Sequence, residues 1–313
     1  MQSYMTSLLL LTALALPVAA QEPQCQSINA QAQAACNTMV DATKAFHPLA
    51  GMIVSGGNPV LGTAGTLGGF GHISAAFRVN AIKASLPNPD SAAQNPVPSS
   101  FDGYLPAPVI EVAVGLYGGQ GGGLLSIDAL ASAVLLPASR VQGMSVDRDA
   151  PKIGDVALGL GYGARIGLLR GSFPIPAVSV SVMRRHVPRV QFGDVNAGDP
   201  AAFATDFDAT NWRVVAGMRV LFADVAAGVG IDHYTSAATI HYDDGLTTHT
   251  VTLDLANTRQ VVFANAGLTM GLVKLVAELG YQTGTDQSFA TTFSDFDPKA
   301  GHVFWGAGLR INF

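Results

Sequence analysis

From Gly301 to Phe313 the chain alternates in character. Val303, Trp305, Ala307, Leu309, Ile311 and Phe313 take every second place, with His302, Gly306, Gly308, Arg310 and Asn312 between them. Successive side chains of a strand point to opposite faces, so this segment is a strand with one apolar face and one small or polar face. The same signature recurs upstream and is cleanest from 154 to 169, where Val156, Leu158, Leu160, Tyr162, Ala164, Ile166 and Leu168 alternate with Gly159, Gly161, Gly163 and Arg165. Periodicity predicts ten strands, at about 70–84, 108–117, 124–136, 154–169, 175–187, 210–222, 225–235, 259–271, 272–284 and the terminal stretch.

Ten such strands suit either a soluble sandwich or a barrel in a membrane. Charged residues make up only 12% of the chain, which also has 35 glycines and a mean hydropathy of +0.32, a balance that favours strands facing lipid. The links between strands are an independent sign. Those after odd-numbered strands are long, about 85–107, 137–153, 188–209, 236–258 and 285–300; those after even-numbered strands are short, at Gly118 to Gly123, Arg170 to Pro174, Ala223-Asp224 and Gly271. Short periplasmic turns and long external loops are the asymmetry of outer-membrane barrels, and a sandwich has no reason to show it. On the lipid face Trp212, Tyr281 and Trp305 would lie at the external interface, with Phe222 and Phe313 at the periplasmic one. The expected fold is all-β: an antiparallel transmembrane β-barrel of about ten strands, preceded by a short N-terminal helical or irregular segment.

The terminal strand with its closing aromatic resembles the last strand of Gram-negative outer-membrane β-barrel proteins. That resemblance implies an outer-membrane location among lipid and lipopolysaccharide. It also implies that Trp305, Leu309, Ile311 and Phe313 form the signal read by the barrel insertion machinery. Leu8 to Leu16 is an apolar run too short to span a bilayer, and Ala19-Ala20 precedes Gln21, so residues 1–20 read as a secretory signal peptide. Cys25 and Cys36, the only cysteines, are expected to form a disulfide in an exported chain; if the segment is helical, their spacing needs a bend between them. Residues 21–69 precede the barrel of 70–313 and combine an Ala/Gln/Asn-rich stretch with a Gly-rich connector. They suit either a periplasmic segment capping the lower mouth or a plug inside the lumen. The plug would resemble the N-terminal hatch of long-chain fatty-acid transporters, a likeness resting on Asn58-Pro59.

Strand phase sends Arg78, Arg165, Arg213, Arg219, Lys274 and Arg310 inward, with Glu111, Asp128, Asp232 and Glu278. They could form a packed, charge-paired interior. Alternatively, room left by the inward glycines could make a narrow conduit whose excess cations favour anions. Arg184, Arg185 and Arg189 fall where the fifth strand leaves the membrane, at the depth of lipopolysaccharide phosphates, and suit either a solvated loop base or pairing with those headgroups. His72-Ile73-Ser74 resembles the His and Ser of outer-membrane phospholipase A and lipid A deacylases, which implies an acyl-transfer pair. His72 and Ser74 lie at the periplasmic end with no evident third member, so an enzyme is not expected. His233, His241 and His249 lack metal-ligand spacing, and no metal, cofactor or nucleic-acid partner is expected. The expected function is a narrow channel or uptake protein for small solutes, anionic or apolar. The alternative is a non-conducting structural or surface-interaction barrel, with a lipid acyl hydrolase as a remote third.

Overall fold

The computed structural model describes residues 22, 24–25, 29–120, 124–136, 144–194, 201–243, 246–285 and 287–313; the expected signal peptide lies outside them. Ten strands form the wall: β1 (Ile73–Pro87), β2 (Ser99–Tyr117), β3 (Ser126–Leu136), β4 (Val156–Leu169), β5 (Ala177–Phe192), β6 (Ala201–Val220), β7 (Ala223–Asp243), β8 (Thr248–Met270), β9 (Val273–Gln282) and β10 (His302–Asn312). Each pairs antiparallel with its neighbours in the chain. β10 returns to β1 with Leu309 opposite Phe77, so the barrel is closed. Ile73 and Phe313 exchange two backbone hydrogen bonds of 3.1 and 2.8 Å at the seam. Two short strands, Met144–Val146 and Lys152–Ile153, extend the loop ends of β5 and β4.

The strand phase divides the side chains as the alternation requires. Phe77, Ile110, Leu160, Trp212, Val229, Val262, Leu279, Trp305 and Leu309 face outward and are exposed despite being large and apolar. A continuous apolar belt round a closed wall, with every strand paired on both sides, is what hydrocarbon demands of a spanning structure. β6 and β7 meet at Leu221-Phe222, and β8 and β9 at Gly271-Leu272, so Ala223 and Asp224 belong to a strand rather than to a turn.

Three strands run well past the belt. Residues 201–209, 236–243 and 248–258, expected in loops, continue β6, β7 and β8. Their outward positions include Asp208, Thr239, His241, Thr250 and Asp254, which suit water. Their inward positions include Ala238, Ile240, Tyr242, Val251, Leu253 and Leu255, which are buried against the N-terminal helix. The period of two persists there, but the apolar side has switched from the outside to the inside, so the mark of a lipid-facing strand disappears.

Inside lies α1 (Ala30–Ser55). The Asn29 side chain caps it by accepting from the Gln31 amide at 2.9 Å, and Gly56 ends it at φ +62°, with its N–H bonded to Met52 O at 2.8 Å. That left-handed conformation favours glycine. Cys25 lies before the cap and is disulfide-bonded to Cys36, so the chain bends between them. The start of α1 packs beneath the loop-end halves of β7 and β8. From Gly56 the chain continues without helix toward the turn end, where the Thr66 and Ser126 hydroxyls are 2.5 Å apart and the Leu67 amide donates to Asp128 at 3.2 Å. Residues 30–67 therefore run through the lumen from loop end to turn end.

Candidate functional site in the barrel interior

The lower, turn-end tier of the lumen is polar because the chain crossing it is not helical. Between Ser55 and Leu67 the backbone does not satisfy its own donors and acceptors in a helix, and a buried peptide group left unpaired is costly. Inward charges of the wall meet this need. The Gly57 and Asn58 amides donate to the two Glu278 carboxylate oxygens at 2.8 Å each. Arg78 donates to Asn58 O at 3.0 Å and Ser55 O at 3.1 Å, and pairs with Glu111 at 2.9 Å and Glu278 at 3.6 Å. Arg213 donates to Gly57 O at 2.8 Å and Gly56 O at 2.9 Å while paired with Asp232. Asp232 also accepts from Asn211 at 2.8 Å and from the Tyr234 hydroxyl at 2.7 Å. Nearer the turn end, Arg165 grips Asp128 at 2.6 Å, Arg310 donates to Leu61 O at 3.2 Å, and Lys274 meets Asp224 at 2.5 Å.

Nine of the residues expected in the lumen are thus buried inside it: Arg78, Glu111, Asp128, Arg165, Arg213, Asp232, Lys274, Glu278 and Arg310. Arg219 is the exception. Its side chain is 63% exposed at the turn-end rim, where it pairs with Asp224 at 3.1 Å, because it sits near the end of β6 and clears the wall. Arg185, expected among lipopolysaccharide headgroups, instead points inward, is buried and donates to Asn211. The alternation already implied this, since Val182, Arg184 and His186 share the outward face. Arg184 is exposed one residue pair beyond the belt level of Val182 and Trp212. Arg189 lies against the extended wall, donating to the Thr239 hydroxyl at 2.7 Å.

His72 and Ser74 are not brought together as an acyl-transfer pair. The His72 Nδ1 is 3.2 Å from Gly69 O, and the Ser74 hydroxyl accepts from Arg310 Nε at 2.7 Å. The space opposite inward glycines is filled: a Cβ on Gly228 would fall 2.4 Å from the Phe263 ring, and one on Gly161 would fall 2.7 Å from Arg185. Trp305, Leu309 and Phe313 face outward and are exposed, with Ile311 beside them on the same face and partly covered.

The upper, loop-end tier keeps polar groups such as Asp41, His47, Asn257 and Arg259, but one side of it is apolar. Beside α1 lie two adjoining cavities of about 610 and 500 Å³ whose linings share Thr43, Phe46, Leu105, Phe192 and Phe203. The larger reaches past Ile53 and Val54 to Ala107, Val134 and Val187 on the wall. Polar side chains at its edge are few, among them His47, Thr205 and Ser236. No expected site residue lies here. The available cue was the switch to inward apolar residues, such as Ile82 and Ala84 beyond Asn80 on β1.

No family model and no curated protein matches this chain. Among solved structures it is similar to the outer membrane protease OmpT from Escherichia coli, at 12% identity over 78% of this chain and 97% of that one, with a TM-score of 0.43. It is also similar to the translocator domain of the autotransporter NalP from Neisseria meningitidis, at 12% identity over 87% and 98%, with a TM-score of 0.46. A third is Ail, the attachment invasion locus protein of Yersinia pestis, at 10% identity over 78% and 99%, with a TM-score of 0.32. At these values they add nothing to what the strand pairing itself shows. The closed wall of ten strands, its apolar belt and its short turns at one end define a bacterial outer-membrane β-barrel.

Proposed function

We propose that this barrel is an uptake protein for small apolar solutes, which it holds in the chamber beside α1, with residues 55–67 acting as the gate below. The observation that carries the reading is the chamber itself. A concave, mostly apolar space with a few polar edges is the usual form of a small-molecule site, and its volume falls in the usual range. The gate reading rests on the tier beneath, where the chain crosses the lumen held by hydrogen bonds to wall charges and by packing of Val60 and Leu67 against Ala113, Leu130 and Met183. Anions are the weaker choice of solute, since the lower-tier cations Arg78, Arg213 and Lys274 already serve carboxylates and carbonyls.

Binding of N-phenyl-1-naphthylamine to the folded protein in detergent tests this. Saturable fluorescence enhancement is expected, and Ala50→Trp, which fills the chamber from α1, should weaken it by at least about tenfold, or about 1.4 kcal/mol. No saturable binding would favour the second reading, a non-conducting scaffold, for which the dense lower tier is the supporting observation. Under either reading we assign Arg184 to lipopolysaccharide phosphate and the outward residues of β10, ending at Phe313, to the insertion machinery.

A further inference from the structure

The wall beside the chamber has a notch, and its cause can be traced to two residues. Ile73 exchanges both backbone bonds with Phe313, so the odd-numbered residues of β1 direct their hydrogen-bonding groups toward β10. Their opposite numbers on β2 therefore point away from β1, toward β3. The register is unbroken from Ile73 opposite Val114 to Val79 opposite Pro108 and Ala81 opposite Pro106. Two consecutive β3-facing positions of β2 are thus proline, and neither has an N–H for the ladder. Pairing between β2 and β3 stops at Val109 opposite Val134, although β3 runs on to Leu136 and β2 back to Ser99.

The chamber lies at this place. Pro106, Pro108 and Leu135 belong to the outward face, yet they line the same cavity as the inward Ala107 and Val134. A cavity bordered by both faces of one wall passes through that wall. Its height is given by the neighbours: Ala81 has Pro106 on one side and the belt residue Trp305 on the other. The next outward residue of β1, Lys83, is exposed and paired with Asp102 at 3.3 Å, beyond the belt. The notch therefore opens at the outermost level of the lipid-facing surface.

We propose that the notch between Pro106–Pro108 of β2 and the tip of β3 is a lateral mouth, through which a hydrocarbon chain from the surrounding membrane enters the chamber beside α1. This rests on the solute-holding chamber proposed above and adds the route and the source. The occupant is an acyl chain because a mouth flush with the belt adjoins hydrocarbon and the chamber behind it is apolar.

The full chain is reconstituted in vesicles of phosphatidylcholine, a fraction of which carries a diazirine near the end of one acyl chain. After irradiation, the adducts are located by mass spectrometry. Adducts are expected on α1 between Phe46 and Val54 as well as on belt residues. Ala107→Trp, which blocks the passage, should reduce the α1 adducts several-fold and leave the belt adducts unchanged. Pro106→Val combined with Pro108→Val returns two ladder donors and should reduce α1 adducts while naphthylamine binding in detergent persists. Adducts confined to the belt, with naphthylamine still bound, would overturn the lateral mouth and leave the chamber standing. Absence of both would overturn the two together.

Discussion

In the turn-end half of the lumen, Arg78, Arg213 and Glu278 hold the backbone of residues 55–58 through bonds of 2.8 to 3.1 Å. In the loop-end half, Phe46, Phe203 and Leu105 line a cavity of about 500 Å³ beside α1. The same N-terminal chain fills both halves, so the contrast comes from its conformation. A helix satisfies its own backbone, so α1 can lie against an apolar wall with space left over. An irregular segment must find its partners in the wall, so the wall beside residues 55–67 is charged and closely fitted. Ending the helix at Gly56 places the boundary between a tier that closes the lumen and a tier able to hold a solute.

Removing one charge from the closed tier should have the largest effect. Asp232→Ala leaves Arg213 buried without its carboxylate, and Asn211 and Tyr234 lose an acceptor. A cost of about 3 to 5 kcal/mol is expected from urea unfolding followed by heat-modifiable gel mobility. A loss below about 1 kcal/mol would mean the tier is not the tightly paired half.

A matched pair of enlargements sharpens the contrast. A Cβ on Gly57 would fall 2.6 Å from the Phe263 ring and 2.9 Å from Glu278, so Gly57→Ala should cost about 1 to 3 kcal/mol. Ala50→Leu extends into the chamber and should change stability by less than about 1 kcal/mol. Equal costs would erase the distinction between the tiers.

The smallest effect is a pH dependence at the loop end. Burial lifts the Asp41 carboxyl to about 6, with the Thr291 N–H at 2.6 Å and Lys44 opposing the shift and Glu22 adding to it. Because the folded-state value lies above the unfolded one, folding binds a proton between about pH 4 and 6. Stability should therefore fall as pH rises through that window and level off above it. Asp41→Asn should flatten the thermal-unfolding profile there, and an unchanged slope would remove Asp41 as its source.

Ten strands and their phase were legible because a period of two is a local signal, but the alternation of short and long links held only in part, since β7 ends at Asp243 and β8 begins at Thr248. Leu160, Trp212 and Leu309 face outward as their spacing required. Arg185 was misplaced when a cluster of like charges was read as one surface, although alternation separates Arg184 from Arg185. The extensions of β6 to β8 were hidden because Thr239, His241 and Thr250 on their outer face look like loop. Least legible was what fills the barrel. Periodicity tells which side chains point inward but not what meets them, and α1, rich in Ala, carries little apolar contrast. The inward glycines left this open, since room in a wall suits a conduit or an inserted segment equally.

Planar-bilayer recording of the folded full-length chain tests closure of the lower tier most directly. With residues 55–67 bonded across the lumen, the trace should stay at baseline, with at most rare brief openings. Asp232→Asn or Glu278→Gln, where it still folds, should make those openings more frequent. A steady open level in the unaltered protein would contradict a lumen closed by its own N-terminal segment.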